Sequence, residues 1–155
     1  MPFTTITYYF VGIDELVEQA AADLARRHLD RARALVEGLP HRRASAARST
    51  GLVVEVLVGP DPTPQSLQSL YERYLRAGRT PALRQVVTDW NAELHALAAE
   101  VLERTGRRAS RTQVQLLVAA LDGLLITALA EGHEDPVGYA VRVAAPLVSG
   151  VQPFG

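Results

Sequence analysis

Apolar residues recur at intervals of three and four along most of the chain, which is the spacing of amphipathic helices. The first long series covers residues 13–36, with acidic side chains near its start and arginines near its end, as the helix dipole favours. Gly38 and Pro40 follow the series and would end a helix. The pattern therefore predicts a long amphipathic helix over residues 13–36.

The segment 42–58 allows two interpretations. Its stretch LVVEVLV is rich in β-branched residues and is followed by prolines, as a buried strand would be. No second strand-like run is present in the sequence, and a lone strand would leave its backbone groups without partners. We therefore predict a helix, with one face formed by Ala44, Ala47, Gly51, Val54 and Val58.

Prolines punctuate the middle of the chain. The sequence GPDPTP at 59–64 cannot continue a helix and predicts a loop. Thr63 is suited to cap the next helix, which we expect over residues 64–77. Thr80 similarly precedes a long helix expected over residues 81–105, and Gly106 is suited to end it.

The last third of the chain is more apolar than the rest. Residues 114–130 form a helical stretch with few strongly polar residues, and Asp122 is one of them. A final helix should begin at Pro136 after Asp135 as its N-cap, and Pro146 should kink or shorten it. The economical interpretation is that both helices are buried between subunits, in a four-helix contact of a twofold dimer. The alternative is that other helices of the same chain cover them.

The predicted dimer interface consists of apolar positions along these two helices. They are Val114, Leu117, Val118, Leu121, Leu125, Val137, Val141, Ala144 and Val148. A charge introduced at Leu121 should then separate the two subunits of the homodimer.

The composition excludes several classes of protein. The chain has 16 basic and 17 acidic residues, a net charge of −1, which does not support general nucleic-acid binding. It has no cysteine, so disulfides, cysteine zinc ligands and thiol catalysis are excluded. The most apolar stretch, 116–130, is shorter than the roughly 20 residues that cross a bilayer. We therefore expect a soluble cytoplasmic protein with no membrane partner.

Sequence motifs for catalysis or metal binding are not found. The four histidines, His28, His41, His95 and His133, do not fall at a repeated metal-ligand spacing with acidic residues. Nucleophile elbows and glycine-rich phosphate loops are also missing. We therefore predict no catalytic residue, no metal and no cofactor, and we expect that the protein is not an enzyme.

One aromatic cluster on the two middle helices predicts a small-molecule pocket. The cluster combines aromatic and apolar walls with a few polar groups, as such pockets do. Its members are Tyr71, Tyr74, Trp90, Asn91, Leu94 and His95. The alternative is ordinary packing with the polar tips at the surface.

The N-terminal sequence TTITYYFVGIDELV, residues 4–17, resembles the end of the helix-turn-helix module of TetR-family transcriptional regulators. The matching positions are Thr5, Ile6, Tyr8, Tyr9, Phe10, Asp14, Glu15 and Leu16. The stretch LYERYLRAGRTPALRQVV at 70–87 is similar to the middle of the regulatory domain in some members. The stretch LLVAALDGLLITAL at 116–129 is similar to the penultimate, dimer-forming helix.

This resemblance implies an all-α, TetR-like C-terminal regulatory domain of about six helices, the last two forming the dimer bundle. Residues 1–12 would be the remnant of the DNA-recognition helix and its turn, with a short helix over 3–10. Residues 13–155 would bind ligand and dimerise. The remnant's DNA-binding positions are Thr4, Thr5, Thr7, Tyr8 and Tyr9. Thr7 and Ile13 stand where the family usually has Tyr and Lys.

The family places roughly 40 more residues of helix-turn-helix ahead of this motif, whereas only nine residues precede Phe10. We therefore expect a truncated repressor, either a fragment or a misassigned start, which binds DNA only in a full-length form. Its effector would be small and apolar or aromatic, and effector binding would shift the helix over 13–36. The alternatives are a stand-alone dimerisation or interaction protein and a small-molecule binding protein without a DNA role.

Overall fold

The structure is a computed structural model that describes the backbone of residues 3–151 and the side chains of residues 12–151. Its described residues form helices joined by short loops, without a strand. The helices are α1 (Phe3–Glu37), α2 (Ala46–Val58), α3 (Pro64–Ala77), α4 (Pro81–Arg104), α5 (Arg111–Ala130) and α6 (Pro136–Ser149). The all-α class and the expected number of helices are confirmed.

Helix α1 is a single helix of 35 residues. The short helix over 3–10 and the turn before Ile13 that the sequence suggested are wrong, since the backbone stays helical through this region. The side chains of Thr4, Thr5, Thr7, Tyr8 and Tyr9 lie outside the described ones. The division into residues 1–12 and 13–155 by function stays a prediction.

Helix α2 confirms the helical interpretation of its β-branched sequence. Ser45 caps it, since the Ser45 side chain accepts a hydrogen bond from the Arg48 backbone N–H at 3.1 Å. The predicted face is wrong: Ala44 precedes the helix, Ala47 is exposed, and the buried residues lie on most sides between Ser49 and Leu57. A helix covered on most sides has no need of an amphipathic pattern, which is why its sequence resembles a strand.

Side-chain caps, among them the predicted Thr63 and the unpredicted Ser110, fix the ends of the next helices. Thr63 and Ser66 form a reciprocal capping box at the start of α3, and Ser110 and Gln113 form another at the start of α5. At the end of α4, Gly106 adopts a left-handed backbone with φ 83°, as expected of a residue that ends a helix. Thr80 is at the N-cap of α4 without a side-chain hydrogen bond.

The core lies where α5 and α6 pack on α2 and α4. Helix α1 lies against α4, and α3 bridges α4 and α5. The loop after α1 is fastened to the end of α4, because the Arg42 N–H donates to the Arg104 carbonyl and an Arg104 guanidinium nitrogen donates to the Leu39 carbonyl, both at 2.9 Å. This attachment holds the C-terminal half of α1 in place.

The predicted dimer residues lie on the inner face of α5 and α6. Seven of the nine are buried in the core of the single chain, and Val137 and Val141 pack against that core. Their use in a contact between subunits stays a prediction, because the structure describes a single chain. Large apolar side chains that the two helices do expose are Leu116, Ile126, Val143 and Leu147.

Two details of α5 and α6 differ from expectation. Helix α5 has 20 residues, and by length and composition it could cross a membrane, although a third of its most apolar window is buried against the rest of the chain. Core helices of soluble proteins share these features. Helix α6 is not shortened at Pro146 and continues to Ser149.

Candidate functional site

The structure brings all six residues of the aromatic cluster around one inner chamber between α3, α4 and α5. Tyr71 and Tyr74 come from α3, and Trp90, Asn91, Leu94 and His95 come from α4. The remaining described wall consists of Leu57, Val58, Leu70, Val118 and Asp122. Its free volume is about 20 Å³, which is room for about one water molecule.

A tyrosine–carboxylate pair forms the floor of the inner chamber. The Tyr71 hydroxyl donates a hydrogen bond to Asp122 Oδ1 at 2.8 Å. Burial is the main cause that raises the pKa of the Asp122 carboxyl, while the Tyr71 hydrogen bond and the nearby His95 partly oppose the shift. Burial, together with the Asp122 carboxylate, also raises the pKa of Tyr71, so its hydroxyl stays protonated and acts as a donor.

Tyr74 and Trp90 form the wall on the opposite side. Asn91 Nδ2 donates to the Tyr74 hydroxyl at 2.9 Å, which leaves the Tyr74 hydroxyl hydrogen free to donate elsewhere. The Trp90 ring lies 6.0 Å from the Tyr74 ring and meets the His28 ring edge-on at 5.4 Å, between centroids. The two aromatic rings are thus held by contacts from three helices.

Trp90 has a buried donor without a partner. Among the described side chains, its Nε1–H is a buried polar group that makes no hydrogen bond. Leaving such a group unpaired costs about 1–3 kcal/mol. An indole nitrogen can only donate, so a group that completes this site must supply an acceptor.

An outer chamber lies on the far side of Trp90, between α1, α3 and α4, with a free volume of about 190 Å³. Leu70, Tyr74 and Trp90 belong to the walls of both chambers. The rest of the described wall is Ala21, Leu24, Ala25, His28, Arg31, Arg73, Ala77, Leu83, Val86 and Val87. The two chambers are therefore neighbours separated by an aromatic partition.

The contribution of α1 to the outer chamber was missed at the level of sequence. Ala21, Leu24, Ala25 and His28 recur at the helical spacing of three and four, and the small side chains of the two alanines leave space beside the helix. That spacing was a usable signal. The spacing showed that the helix is amphipathic. It did not show that the inner face of the helix lines a chamber beside Trp90.

His28 is a neutral histidine that joins α1 to α2. Its Nε2 lies 2.9 Å from the Val56 carbonyl oxygen, and because a carbonyl can only accept, this nitrogen carries the proton. Burial is the main cause that lowers the pKa of His28, and the neighbouring Arg31 lowers it as well. A neutral ring beside Trp90 adds an aromatic edge without a fixed charge.

The charge at the outer chamber is positive. Arg31 and Arg73 line it, and the described lining residues include no aspartate or glutamate. The inner chamber, in contrast, contains the single carboxyl of Asp122. Among the described residues, no group of three or more His, Asp or Glu side chains is placed to hold a metal ion.

The sequence of these helices matches a known family of domains. The family model described as "Tetracyclin repressor-like, C-terminal domain" matches residues 44–152, about seven-tenths of the chain. The chain belongs to this family. No curated protein and no solved structure matches it.

Membership confirms the expected resemblance and the all-α regulatory fold. Domains of this family are regulatory domains that bind small molecules and dimerise, and they are typically not enzymes. Regulators of the family are soluble cytoplasmic proteins. The match covers α2 to α6, which include both helices that carry the aromatic cluster.

Proposed function

We propose that this protein is the effector-binding and dimerisation part of a TetR-like cytoplasmic repressor, and that its effector occupies the two chambers. The observation that carries the proposal is the partition of Tyr74 and Trp90, which closes an almost filled inner chamber from a larger outer one. The inner chamber is too small for an organic molecule as it stands. Binding therefore requires the partition or the helices around it to move.

The motion has a direct route to α1. His28 contacts Trp90 on one side and Val56 on the other, so a displaced indole pushes on the middle of the long helix. A ligand shifts such an equilibrium only by as much as it prefers one arrangement over the other. An effector that inserts beside Trp90 would favour the arrangement in which α1 has moved.

A cavity-filling variant tests whether the outer chamber binds the effector. The probes are a panel of single-ring compounds in neutral, anionic and cationic forms, screened by the rise in melting temperature that binding produces. We expect Ala25→Phe, which fills the chamber from α1, to abolish the rise. The matched control, Ala20→Phe, adds the same ring at an exposed position of α1 and should leave binding intact. Equal loss in both variants, or no binding by any compound, would contradict the proposal.

A distance measurement tests whether binding moves α1. The chain has no cysteine, so Glu18→Cys on the exposed part of α1 would carry a single spin label in each subunit. In the dimer, the distance between the two labels should change when a panel compound binds. A compound that raises the melting temperature but leaves the distance unchanged would favour a binding protein without a regulatory role.

The proposed dimer uses the exposed stripe of α5 and α6 rather than the residues expected at first. Leu116 is 65% exposed and Leu147 is 53% exposed, and Ile126 and Val143 continue the apolar surface. Exposed apolar side chains in a contiguous patch are typical of interaction surfaces. A second copy of the chain would cover them by placing the two helix pairs together.

We further propose that the described residues do not bind operator DNA tightly by themselves. Acidic residues slightly outnumber basic ones, so the electrostatic attraction on which DNA binding depends is weak. A gel-shift assay on the upstream region of the chromosomal locus tests this. Salt-sensitive, sequence-specific binding by the 155-residue chain would overturn the proposal.

A further inference from the structure

We infer that the effector of the outer chamber is an amphipathic organic anion: a ring-sized apolar body that carries a carboxylate. This inference rests on the proposed function and specifies the chemistry of the same site. It also changes the earlier expectation of a small apolar or aromatic effector, because it adds a negative charge. Three observations carry it: the polar groups of the chamber, the state of its arginines and its size.

The polar groups of the outer chamber are mostly donors. Arginine side chains have no acceptor, and the unpaired Trp90 Nε1–H belongs to a ring that lines both chambers. An acceptor is offered by the unprotonated nitrogen of neutral His28. A ligand that satisfies this wall must itself bring acceptors, and a carboxylate brings two oxygens without a donor.

The two arginines of the chamber, which are exposed, have no carboxylate partner among the described residues, a feature that they share with Arg27 on α1 and Arg76 on α3. On α1, Arg26 pairs with Asp23 and Arg33 pairs with Glu93. Arg31, between them, has only a long contact of 3.4 Å from its Nε to the Arg27 carbonyl.

Arg73 on α3 shows the same feature. Among the described residues it makes no hydrogen bond or ion pair, although the same helix carries Glu72 next to it. Glu72 instead accepts a hydrogen bond from Gln68 at 3.1 Å. Two guanidinium groups without a carboxylate partner, from two helices, thus line one mostly apolar chamber, and a bound carboxylate would be their counter-charge.

The size of the chamber, which is open to solvent on one side, suits a ring-sized apolar body. A dry apolar cavity of about 150 Å³ accommodates benzene, and the outer chamber has about 190 Å³. A single substituted ring or an aliphatic group of similar volume fits this space. The Trp90 face and the Leu83, Val86 and Val87 side chains would contact that body.

Three probes of the same shape and different charge test the inference. They are para-ethylbenzoate, para-ethylbenzamide and para-ethylbenzylammonium, titrated against the 155-residue protein by isothermal calorimetry. Trp90 is the only tryptophan, so its fluorescence reports independently on occupancy next to it. We expect the benzoate to bind at least about tenfold more tightly than the benzamide, and the ammonium compound to bind most weakly.

Charge-removing variants identify the groups responsible. Arg73→Gln and Arg31→Gln should each weaken benzoate binding by about three- to tenfold and leave benzamide binding unchanged. The matched controls are Arg76→Gln on α3 and Arg27→Gln on α1, which remove the same charge at exposed positions that do not line the chamber. The controls separate direct contact from a loss of overall positive charge.

The possible outcomes distinguish this inference from the proposed function. Tighter binding of the benzamide or the ammonium compound overturns the anionic effector and leaves a functional pocket in place. Equal effects of the chamber variants and the controls also overturn it. Failure of all three probes, together with the rest of the screening panel, overturns both.

Discussion

Asp122 lies in the middle of the most apolar helix, half-buried, with its Oδ1 held by the Tyr71 hydroxyl at 2.8 Å. Its carboxyl is the acidic group of the inner chamber, and burial raises its pKa above the ordinary 3.8. A raised pKa in the folded state means that the protonated form is favoured there. The resulting stability is fully present below the unfolded pKa and is lost as the pH rises through the folded pKa.

Asp122→Asn should remove this pH dependence. The amide keeps an oxygen that accepts from Tyr71 and carries no charge to bury. We therefore expect the variant and the wild type to have similar unfolding free energies near pH 4, and the variant to become relatively more stable toward pH 7. Urea unfolding over this range measures the difference. A difference that stays constant with pH would show that Asp122 is solvated in the folded protein.

His28 has the opposite sign. Its folded pKa lies below 6.5, so its contribution to stability is present above pH 6.5 and is lost as the pH falls through the folded pKa. His28→Gln, which can still donate to Val56, should flatten the decline in melting temperature between pH 7.5 and 5. The exposed His41→Gln is the control and should decline as the wild type does. If both variants behave alike, the pH dependence arises elsewhere.

At the scale of the element, the helices were largely predictable from local signals. Apolar periodicity and capping residues gave the positions of α3, α4, α5 and α6, because these signals depend on neighbours in sequence. The start of α1 and the exposed face of α2 were not predictable. The start of α1 was missed because the family resemblance implied a turn before Ile13, and the exposed face of α2 depends on what packs against that helix.

Loss of one cap should weaken its helix in a measurable way. The Ser110 hydroxyl oxygen accepts a hydrogen bond from the Gln113 backbone N–H at 3.2 Å, and the two residues form a capping box at the start of α5. Ser110→Ala should reduce the unfolding free energy by about 1 kcal/mol, as N-cap substitutions do. Urea denaturation measures it. Ser69→Ala, at an exposed position inside α3, should reduce stability by much less, and a similar loss in both would refute a capping role.

At the scale of the whole molecule, the sequence indicated which helices were very apolar but not what covered them. Leu121 and Leu125 are fully buried by helices of the same chain. The predicted pocket residues did converge, since aromatic spacing on α3 and α4 places them on facing sides. The outer chamber also depends on α1, whose His28 lies 42 residues before Leu70 in the sequence. A contact between residues so far apart leaves no local pattern.

Two leucine-to-arginine variants on α5 should separate folding from assembly. Leu121 is 0% exposed, so Leu121→Arg buries an unpaired charge and should unfold the chain. Leu116 is 65% exposed, so Leu116→Arg should disrupt the dimer without unfolding the chain. The variant should keep the helical circular dichroism spectrum and a cooperative melting transition, now that of a monomer. Sedimentation velocity measures the assembly. An unchanged sedimentation coefficient for Leu116→Arg would place the dimer contact on another surface.

The long, partly unsupported helix α1 has a mechanical consequence. His28 lies where α1 packs on the rest of the molecule, whereas Ile13, Leu16 and Val17 are exposed. From His28 to Ile13 the helix extends about 22 Å, at about 1.5 Å per residue. A tilt of about 10° around His28 therefore carries Ile13 about 4 Å sideways. In the proposed function the helix acts as a lever, which turns a small tilt beside Trp90 into a displacement of several ångströms at its far end.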